Sequence, residues 1–263
     1  MTQDNLIEVV AGVLYNQRGE FLLSSRPAGK AYAGYWEFAG GKVESGESPL
    51  VALQREFAEE LGITVNSATP WISKTHRYEH AHVHLQFYRI AADQWQGQLT
   101  AREQQSWSWQ QPGCLTVTPI LPANAPILAA LAIPAHMSGN LNTGFYTAAK
   151  QEPALKTYPY HSGIAAESII YTPADQLQQL ANLHPVSAIW AICHNSEEWL
   201  QAQAAAAIIW PVGQHEDIQL LLHLLHNQPS SVPVMVLQQT NAQLIAQPDW
   251  MTLGVHGIIM EQQ

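Results

Sequence analysis

The chain has 263 residues, 47% of them apolar, which is enough for one or two domains with a sizeable buried core. Its formal net charge of −10 and its low share of charged residues, 12%, argue against broad nonspecific binding to nucleic acid or to anionic membranes. No apolar run reaches the roughly 18 residues of a membrane span, the N-terminus carries no export signal, and two cysteines are too few for a disulfide scaffold, so we expect a cytoplasmic protein.

The first half of the chain predicts a mixed α+β domain. Residues 7–15 form a β-type run, a turn signal follows at 16–19, and a second apolar run covers 20–24, a pattern typical of a hairpin. Apolar and polar residues alternate over 82–89, which indicates a further strand.

One strong helix is predicted between these strands. Ser48 can cap it, Pro49 suits its first position and Gly62 can end it. A second, short helix is predicted over residues 124–131. The first half therefore has one well-marked central helix.

Three glutamates share one face of this central helix. Their spacing of i, i+3 and i+4 places them within an arc of roughly 100°: they are Glu56, Glu59 and Glu60. Such a group is often only a solvated acidic face, but like charges at this spacing repel and favour a bound cation. Mg²⁺ prefers oxygen ligands and often bridges carboxylates to substrate phosphates. The glycine-rich segment 38–42 lets backbone carbonyls approach the same ion, and Arg55 can orient a carboxylate or meet a phosphate.

A longer pattern surrounds these glutamates. The segment GKVESGESPLVALQREFAEELGI, residues 41–63, fits G-x5-E-x7-R-E-U-x-E-E-x-G-U, with U apolar, at every specified position. It resembles the Nudix box. Residues 1–133 as a whole resemble the MutT branch, the 8-oxo-dGTP diphosphatases, through VVAGVLYN, Arg26, WEFAGGK and LPANAPIL. The resemblance implies an α/β fold, a Nudix α/β/α sandwich with a mixed sheet, and hydrolysis of a nucleoside diphosphate linked to another group.

The same resemblance implies the site residues. Mg²⁺, with Mn²⁺ as a substitute, would be held by the Gly40 carbonyl and by the carboxylates of Glu56, Glu59, Glu60 and Glu103. These four glutamates and Arg55 are the implied catalytic residues, with Glu56 or Glu103 as the base. The implied substrate-binding residues are Arg26, Phe38, Lys42 and Asn124, of which Asn124 reads the purine edge. Ala39 departs from the branch, which usually has proline there.

The implied reaction is attack of water on the β-phosphorus of a nucleoside triphosphate, most simply 8-oxo-dGTP, giving a nucleoside monophosphate and pyrophosphate. The box fixes the reaction class and leaves the base open. Another nucleoside diphosphate derivative, such as ADP-ribose, therefore stays an alternative. A non-catalytic nucleotide sensor is disfavoured, because a mere binder has little use for three helix carboxylates.

The second half predicts alternating strands and helices, hence a parallel sheet, after a linker at 134–142. CHNSEEWLQAQAAAAIIWPVGQ and VPVMVLQQTNAQLIAQPDWMTLGVHGIIM resemble thiamine-phosphate synthases and their TenI relatives. This implies a partial parallel βα domain derived from a TIM barrel, over 143–263. We expect only about five strands, because a full barrel typically takes roughly 250 residues.

The family's Gly-Gly phosphate loop reads Gln238-Gln239 in this chain, so this half is expected to be non-catalytic. A bifunctional enzyme that also makes thiamine phosphate is the alternative. Uncovered sheet edges predict interdomain contact or a homodimer through this half. No nucleic-acid or membrane partner is expected.

Two further features are interpreted as structural. His80, His82 and His84 alternate along a strand, and we favour a polar strand face near the nucleotide cleft over a transition-metal site. Cys114 and Cys193 have no activating basic neighbour apart from His194 beside Cys193, so both are predicted to be packing residues.

Overall fold

The computed structural model divides the chain into two compact units, which we call the first unit, residues 1–131, and the second unit, residues 132–263. The residues that it describes are 6–77, 82–147, 154–239 and 248–262. No helix within these residues is long and apolar enough to cross a membrane.

The first unit is built on a mixed four-stranded sheet of order β4-β1-β7-β6, in which β1 and β7 are parallel and the other neighbours antiparallel. Its strands are β1 Leu6–Leu14, β2 Phe21–Ser25, β3 Trp36–Glu37, β4 Gly40–Lys42, β5 Thr64–Val65, β6 Thr69–Arg77, β7 His82–Ile90, β8 Trp95–Gln96 and β9 Trp107–Gln110. Its helices are α1 Pro49–Leu61 and α2 Ala125–Leu131, the latter preceded by a 3-10 turn, Pro122–Asn124. A three-stranded sheet, β3-β2-β9, and the pair β5-β8 complete it.

The two helices cover opposite faces of the four-stranded sheet. Neighbouring residues of a strand point to opposite faces. Val10 of β1 packs in one cluster with Phe57 of α1, and Ala11 packs in another with Ile127 of α2. Gly12 leaves room for Phe57, since a Cβ there would lie 2.5 Å from the ring. The predicted mixed α/β fold of this half is confirmed.

Helix α1 begins and ends as predicted. The Ser48 hydroxyl accepts a hydrogen bond from the backbone N–H of Val51 at 3.4 Å, and Pro49 occupies the first helical position. Gly62 adopts the left-handed conformation, φ 69°, that ends many helices, and its N–H donates to the Phe57 carbonyl. These caps fix where the helix that carries Glu56, Glu59 and Glu60 starts and stops.

The predicted hairpin is wrong in its pairing, although its turn is present. The Asn16 side-chain oxygen accepts from the backbone N–H groups of Arg18 and Glu20, at 2.8 and 3.1 Å. Beyond one bridge, Tyr15 to Phe21, β1 and β2 enter different sheets. β1 instead pairs in parallel with β7 over its whole length, a non-local partner that local turn signals do not reveal.

The second unit is a closed barrel of eight strands that follow chain order around the barrel. They are β10 His136–Asn140, β11 Gly144–Tyr146, β12 Lys156–Pro159, β13 Ile169–Pro173, β14 Ile189–Ile192, β15 Ala207–Val212, β16 Val234–Gln238 and β17 Gly257–Glu261. The helices α3 Leu177–Leu180, α4 Ser196–Ala202 and α5 His215–Asn227 alternate with the later strands. Only β11 runs antiparallel to its neighbours, and β17 closes on β10 in parallel.

The expectation of a partial barrel with about five strands is wrong. Three strands, β10 to β12, are joined without any helix among the described residues, so 132 residues suffice to close the barrel. Gly139 and Gly144 permit this, with φ of 136° and 107°, because a Cβ on either would lie 2.1 or 2.2 Å from a carbonyl oxygen of the next strand. The supposed linker 134–142 therefore contains strand β10.

Closure also removes the reason for expecting a homodimer, since a closed barrel has no free sheet edge. Descent from a TIM barrel stays a prediction. The segment 240–247, part of the TenI resemblance, lies outside the described residues. Cys193 is buried as predicted, whereas the prediction for Cys114 is wrong, because this residue is exposed.

Candidate active site

The guanidinium of Arg55 organises the acidic residues of α1 and of the loop before it. Its Nε and Nη2 donate to the two carboxylate oxygens of Glu47, both at 3.0 Å. Its Nη1 donates to Glu56 at 2.8 Å and to Glu59 at 3.2 Å, and Nη2 also reaches the Lys42 carbonyl at 3.0 Å. The hydrogen bonds to Glu47 and Glu56 raise the pKa of Arg55. Arg55 therefore holds the carboxylates of Glu47 and Glu56 in place.

Two glycines bring the backbone of β4 against these carboxylates. A Cβ on Gly41 would lie 2.2 Å from Oε1 of Glu56, so only glycine leaves space for this carboxylate. Gly40 has φ 149°, and a Cβ there would lie 2.1 Å from the Val10 carbonyl oxygen. The Gly40 N–H donates to Oε2 of Glu60 at 3.4 Å. The glycine-rich segment thus forms a cradle in contact with Glu56 and Glu60.

Glu60 lies where negative charge is in excess. Burial, followed by the charges of Glu103 and Glu56, raises the pKa of Glu60 to about 7, although Lys30 acts in the opposite direction. A carboxylate in this setting is stabilised by a nearby cation. The cradle of Gly40 and Gly41 and the oxygen donors therefore fit a hard divalent ion such as Mg²⁺.

Glu103 is held on a loop that is fastened to the end of α1. The Glu60 carbonyl accepts from the Arg102 backbone N–H at 3.1 Å and from the Gln105 side chain at 2.7 Å. Gln105 also accepts from the Glu103 backbone N–H at 2.9 Å. The Glu103 carboxylate itself pairs with Lys30, with 2.5 Å between Oε2 and Nζ. Gln105 was missed by sequence reasoning, because a single loop glutamine gives no signal.

The four glutamates do not converge on one point. Among the described residues, no group of three or more His, Cys, Asp or Glu side chains is arranged to hold a metal ion. Glu56 and Glu59 contact Arg55, and Glu103 contacts Lys30. The carboxylates are gathered at one end of α1, each with a partner within the chain.

A cleft of about 570 Å³ lies beside this cradle. All four implied substrate-binding residues line it, together with two implied metal ligands: Arg26, Phe38, Lys42, Asn124, Gly40 and Glu60. The lining residues that sequence reasoning missed include Lys30, Tyr32 and Glu37. Six of the ten residues that the sequence pattern implies therefore line one cavity of the first unit, whereas Arg55, Glu56, Glu59 and Glu103 are not among its lining residues.

Asn124 is placed at one wall of this cleft by the 3-10 turn that precedes α2. It is only 4% exposed, and its side-chain amide makes no hydrogen bond to another described residue. A buried amide normally finds partners, so its donor and acceptor are available to a ligand in the cleft.

Arg26 has a larger structural role than the resemblance implies. Its Nη1 donates to both carboxylate oxygens of Glu37, at 2.8 and 2.6 Å, and its Nε donates to the Ala31 carbonyl at 2.7 Å. Burial raises the pKa of Glu37 even though Arg26 opposes this. Most of the Arg26 donors are therefore engaged within the chain, where they hold the loop between β2 and β3.

His84 of β7 belongs to a polar network on the sheet. His84 contacts Glu8 through Nδ1 at 2.7 Å and the Ser73 hydroxyl through Nε2 at 2.5 Å. Glu8, Ser73 and His84 are not among the residues that line the cleft. His80 lies outside the described residues. A polar strand face is therefore observed, but not beside the cleft.

In the second unit, the loops after β14 and β15 satisfy their own backbone amides. Oε2 of Glu198 accepts from the His194 N–H at 2.6 Å. Oδ2 of Asp217 accepts from the Gly213 and Gln214 N–H groups, both at 2.8 Å. Carboxylate oxygens thus accept hydrogen bonds from backbone N–H groups of the kind that can bind phosphate in other barrels.

Comparison with known proteins covers the first unit. A family model described as a NUDIX domain matches residues 10–130. The CTP pyrophosphohydrolase of Escherichia coli is 39% identical over 48% of this chain and 90% of the relative. The 8-oxo-dGTP diphosphatase of Haemophilus influenzae is 33% identical over 47% of this chain and 89% of the relative. The solution structure of the E. coli ORF135 protein is 37% identical, with a TM-score of 0.40, over 47% of this chain and 86% of that one. The chain belongs to the Nudix family and is a hydrolase that acts on phosphoric anhydride bonds.

Proposed function

We propose that the first unit is a Mg²⁺-dependent nucleoside triphosphate pyrophosphohydrolase that prefers 8-oxo-dGTP and so removes an oxidised precursor of DNA synthesis. The observation that carries the proposal is the cleft itself. The cleft is lined by Asn124, whose side-chain amide has no hydrogen-bond partner among the described residues, and by Lys42. Gly40 of the cradle and Glu60 line the same cleft. The names of the bacterial relatives, several of them 8-oxo-dGTP diphosphatases, agree with this substrate.

Magnesium, with manganese as a substitute, suits a donor set made only of oxygen atoms. The residues that would hold it are Gly40, through its carbonyl, and Glu56, Glu59, Glu60 and Glu103. When bound, such an ion supplies neutralisation of phosphate charge and a lower pKa for a coordinated water.

The protein's own residues then have separate tasks. Arg55 holds Oε1 of Glu56 at 2.8 Å, which leaves Oε2 to accept a proton from the attacking water. Glu103 is the alternative base. The water oxygen bonds to the β-phosphorus, and the bond from that phosphorus to the oxygen bridging the α-phosphorus breaks. Lys42, at the cleft wall, offsets charge on the phosphates and on the released pyrophosphate.

Base recognition is assigned to other lining residues of the same cavity. An amide side chain both donates and accepts, so Asn124 can pair with two adjacent groups on the edge of a purine. Phe38, 4% exposed, contributes an apolar wall. A CTP pyrophosphohydrolase is a second candidate, because the relative of that name is 39% identical and an amide also matches adjacent groups on cytosine.

A substrate panel tests the proposal. We expect 8-oxo-dGTP to give the highest kcat/KM among 8-oxo-dGTP, dGTP, CTP and ADP-ribose, with pyrophosphate released only when Mg²⁺ is present. A preference for CTP supports the second candidate, and a preference for ADP-ribose refutes the triphosphate assignment. Absence of hydrolysis of all four contradicts the proposed function.

For the second unit we propose a non-catalytic role. Its loop amides at Gly213 and Gln214 already bind the carboxylate of Asp217, which would repel a substrate phosphate. Formation of thiamine phosphate from its pyrimidine and thiazole precursors by the full chain would contradict this and support a bifunctional enzyme.

A further inference from the structure

We propose that Lys30 is a substrate-positioning residue that exchanges partners, pairing with Glu103 in the metal-free protein and with the substrate's phosphates once Glu103 turns to the metal ion. This inference rests on the proposed function.

Lys30 lies on the loop between β2 and β3, which its own hydrogen bonds hold in place. The Gly34 N–H donates to the Arg26 carbonyl at 2.9 Å, and the Arg26 N–H donates to the Tyr35 carbonyl at 2.8 Å. From this loop the Lys30 side chain lines the cleft and reaches Oε2 of Glu103. The contact therefore joins the loop between β2 and β3 to the loop that carries Glu103.

Lys30 and a metal ion would compete for the carboxylate of Glu103. Lys30 Nζ lies 2.5 Å from the same Glu103 carboxylate that would contribute to the metal site. An ammonium group at this distance occupies one carboxylate oxygen and repels a divalent cation. Binding of the ion by Glu103 is therefore weakened as long as Lys30 keeps this contact.

The released ammonium has a suitable new partner in the cavity. Lysine acts as a flexible point charge toward phosphate. Among the described residues that line the cleft, the cationic side chains are Arg26, Lys30 and Lys42, and Arg26 is already paired with Glu37. Lys30 is thus one of two lining lysines able to face the triphosphate.

The exchange predicts that Lys30→Gln strengthens the binding of Mg²⁺ and weakens the binding of nucleotide. Without nucleotide, Mg²⁺ should bind about two- to fivefold more tightly by calorimetry, because a partly exposed ion pair no longer competes. With Mg²⁺ present, a non-hydrolysable deoxyguanosine triphosphate analogue should bind about tenfold more weakly, since one charged hydrogen bond is lost. In turnover, KM should rise more than kcat falls. Lys30→Arg, which keeps the charge, should restore most of the nucleotide affinity.

Arg18→Gln is the matched control, because it removes one cation from an exposed ion pair with Glu20 in the turn after β1. Unchanged or weaker Mg²⁺ binding by Lys30→Gln, or nucleotide binding equal to that of the control, overturns the proposal. These results leave the proposed function standing if the wild-type protein still hydrolyses nucleotides, whereas a wild-type protein without hydrolysis refutes the proposed function itself.

Discussion

Replacing Gly41 with alanine should separate catalysis from folding in the first unit. The new Cβ would lie 2.2 Å from Oε1 and 2.3 Å from Cδ of Glu56. The carboxylate must therefore retreat by about 1 Å to reach an ordinary van der Waals distance. A displacement of about 1 Å in an active site can cost roughly 100-fold in rate, and we expect a loss of this size in kcat/KM.

The fold should tolerate this change. The backbone of Gly41 is outside the left-handed region, and the atoms that must move are the end of a flexible side chain. Alanine at a compatible position restricts the unfolded chain and stabilises by about 0.4–1 kcal/mol, which offsets the weakened ion pair of Glu56 with Arg55. The melting temperature should therefore stay within a few degrees of wild type.

Steady-state pyrophosphate release and thermal melting measure the two effects. Gly213→Ala is the matched control: it also places a Cβ against the end of a flexible side chain, 2.6 Å from Oε1 of Gln239, but in the second unit. It should leave hydrolysis unchanged. If Gly41→Ala turns over nucleotide at a near-normal rate, the close packing of Glu56 on β4 has no catalytic importance and the reasoning fails.

Three further predictions concern titratable groups. Glu56→Gln should lower turnover by orders of magnitude with an unchanged melting temperature, and near-normal turnover would exclude Glu56 as base and ligand. Because burial and neighbouring carboxylates raise the pKa of Glu60 to about 7, the folded metal-free protein retains a proton that the unfolded chain loses. Its melting temperature should therefore fall as pH rises from about 4.5 to about 7. Glu60→Gln should flatten this slope, and an unchanged slope would contradict the assignment. Burial raises the pKa of Cys193 to about 12, whereas Cys114 is exposed. A thiol reagent at pH 8 should thus modify one cysteine in the native protein and two after unfolding; two rapid modifications would disprove the buried position.

The parts of the active site that depend on local sequence could be predicted. The cap at Ser48, the stop at Gly62 and the single face shared by three glutamates all follow from helix geometry, and the structure has this helix at Pro49–Leu61. Lys30 and Gln105 could not be predicted, because their roles depend on contacts with residues 45 or more positions away. The pairing of Arg26 with Glu37 was missed for the same kind of reason.

In the second unit, the strands that alternate with helices were predicted and the early strands were not. β13 to β17 are largely apolar, and β14 to β16 are almost wholly buried, so their composition identifies them. β10 contains Ser138, Gly139 and Asn140, residues typical of loops. Gly139 is required here because the neighbouring strand approaches its Cα closely. A close backbone approach and a linker can both place a glycine between serine and asparagine, and only the tertiary pairing distinguishes them.

The most direct test of the central claim is a crystal structure of the full chain with Mg²⁺ and a non-hydrolysable analogue of 8-oxo-dGTP. Our account predicts an ion in contact with the carboxylates of Glu56, Glu59 and Glu60, phosphates beside it, and the base against Asn124. An analogue bound elsewhere, or a cleft in which these three carboxylates keep their contacts with Arg55 and Gly40 and hold no ion, would contradict it.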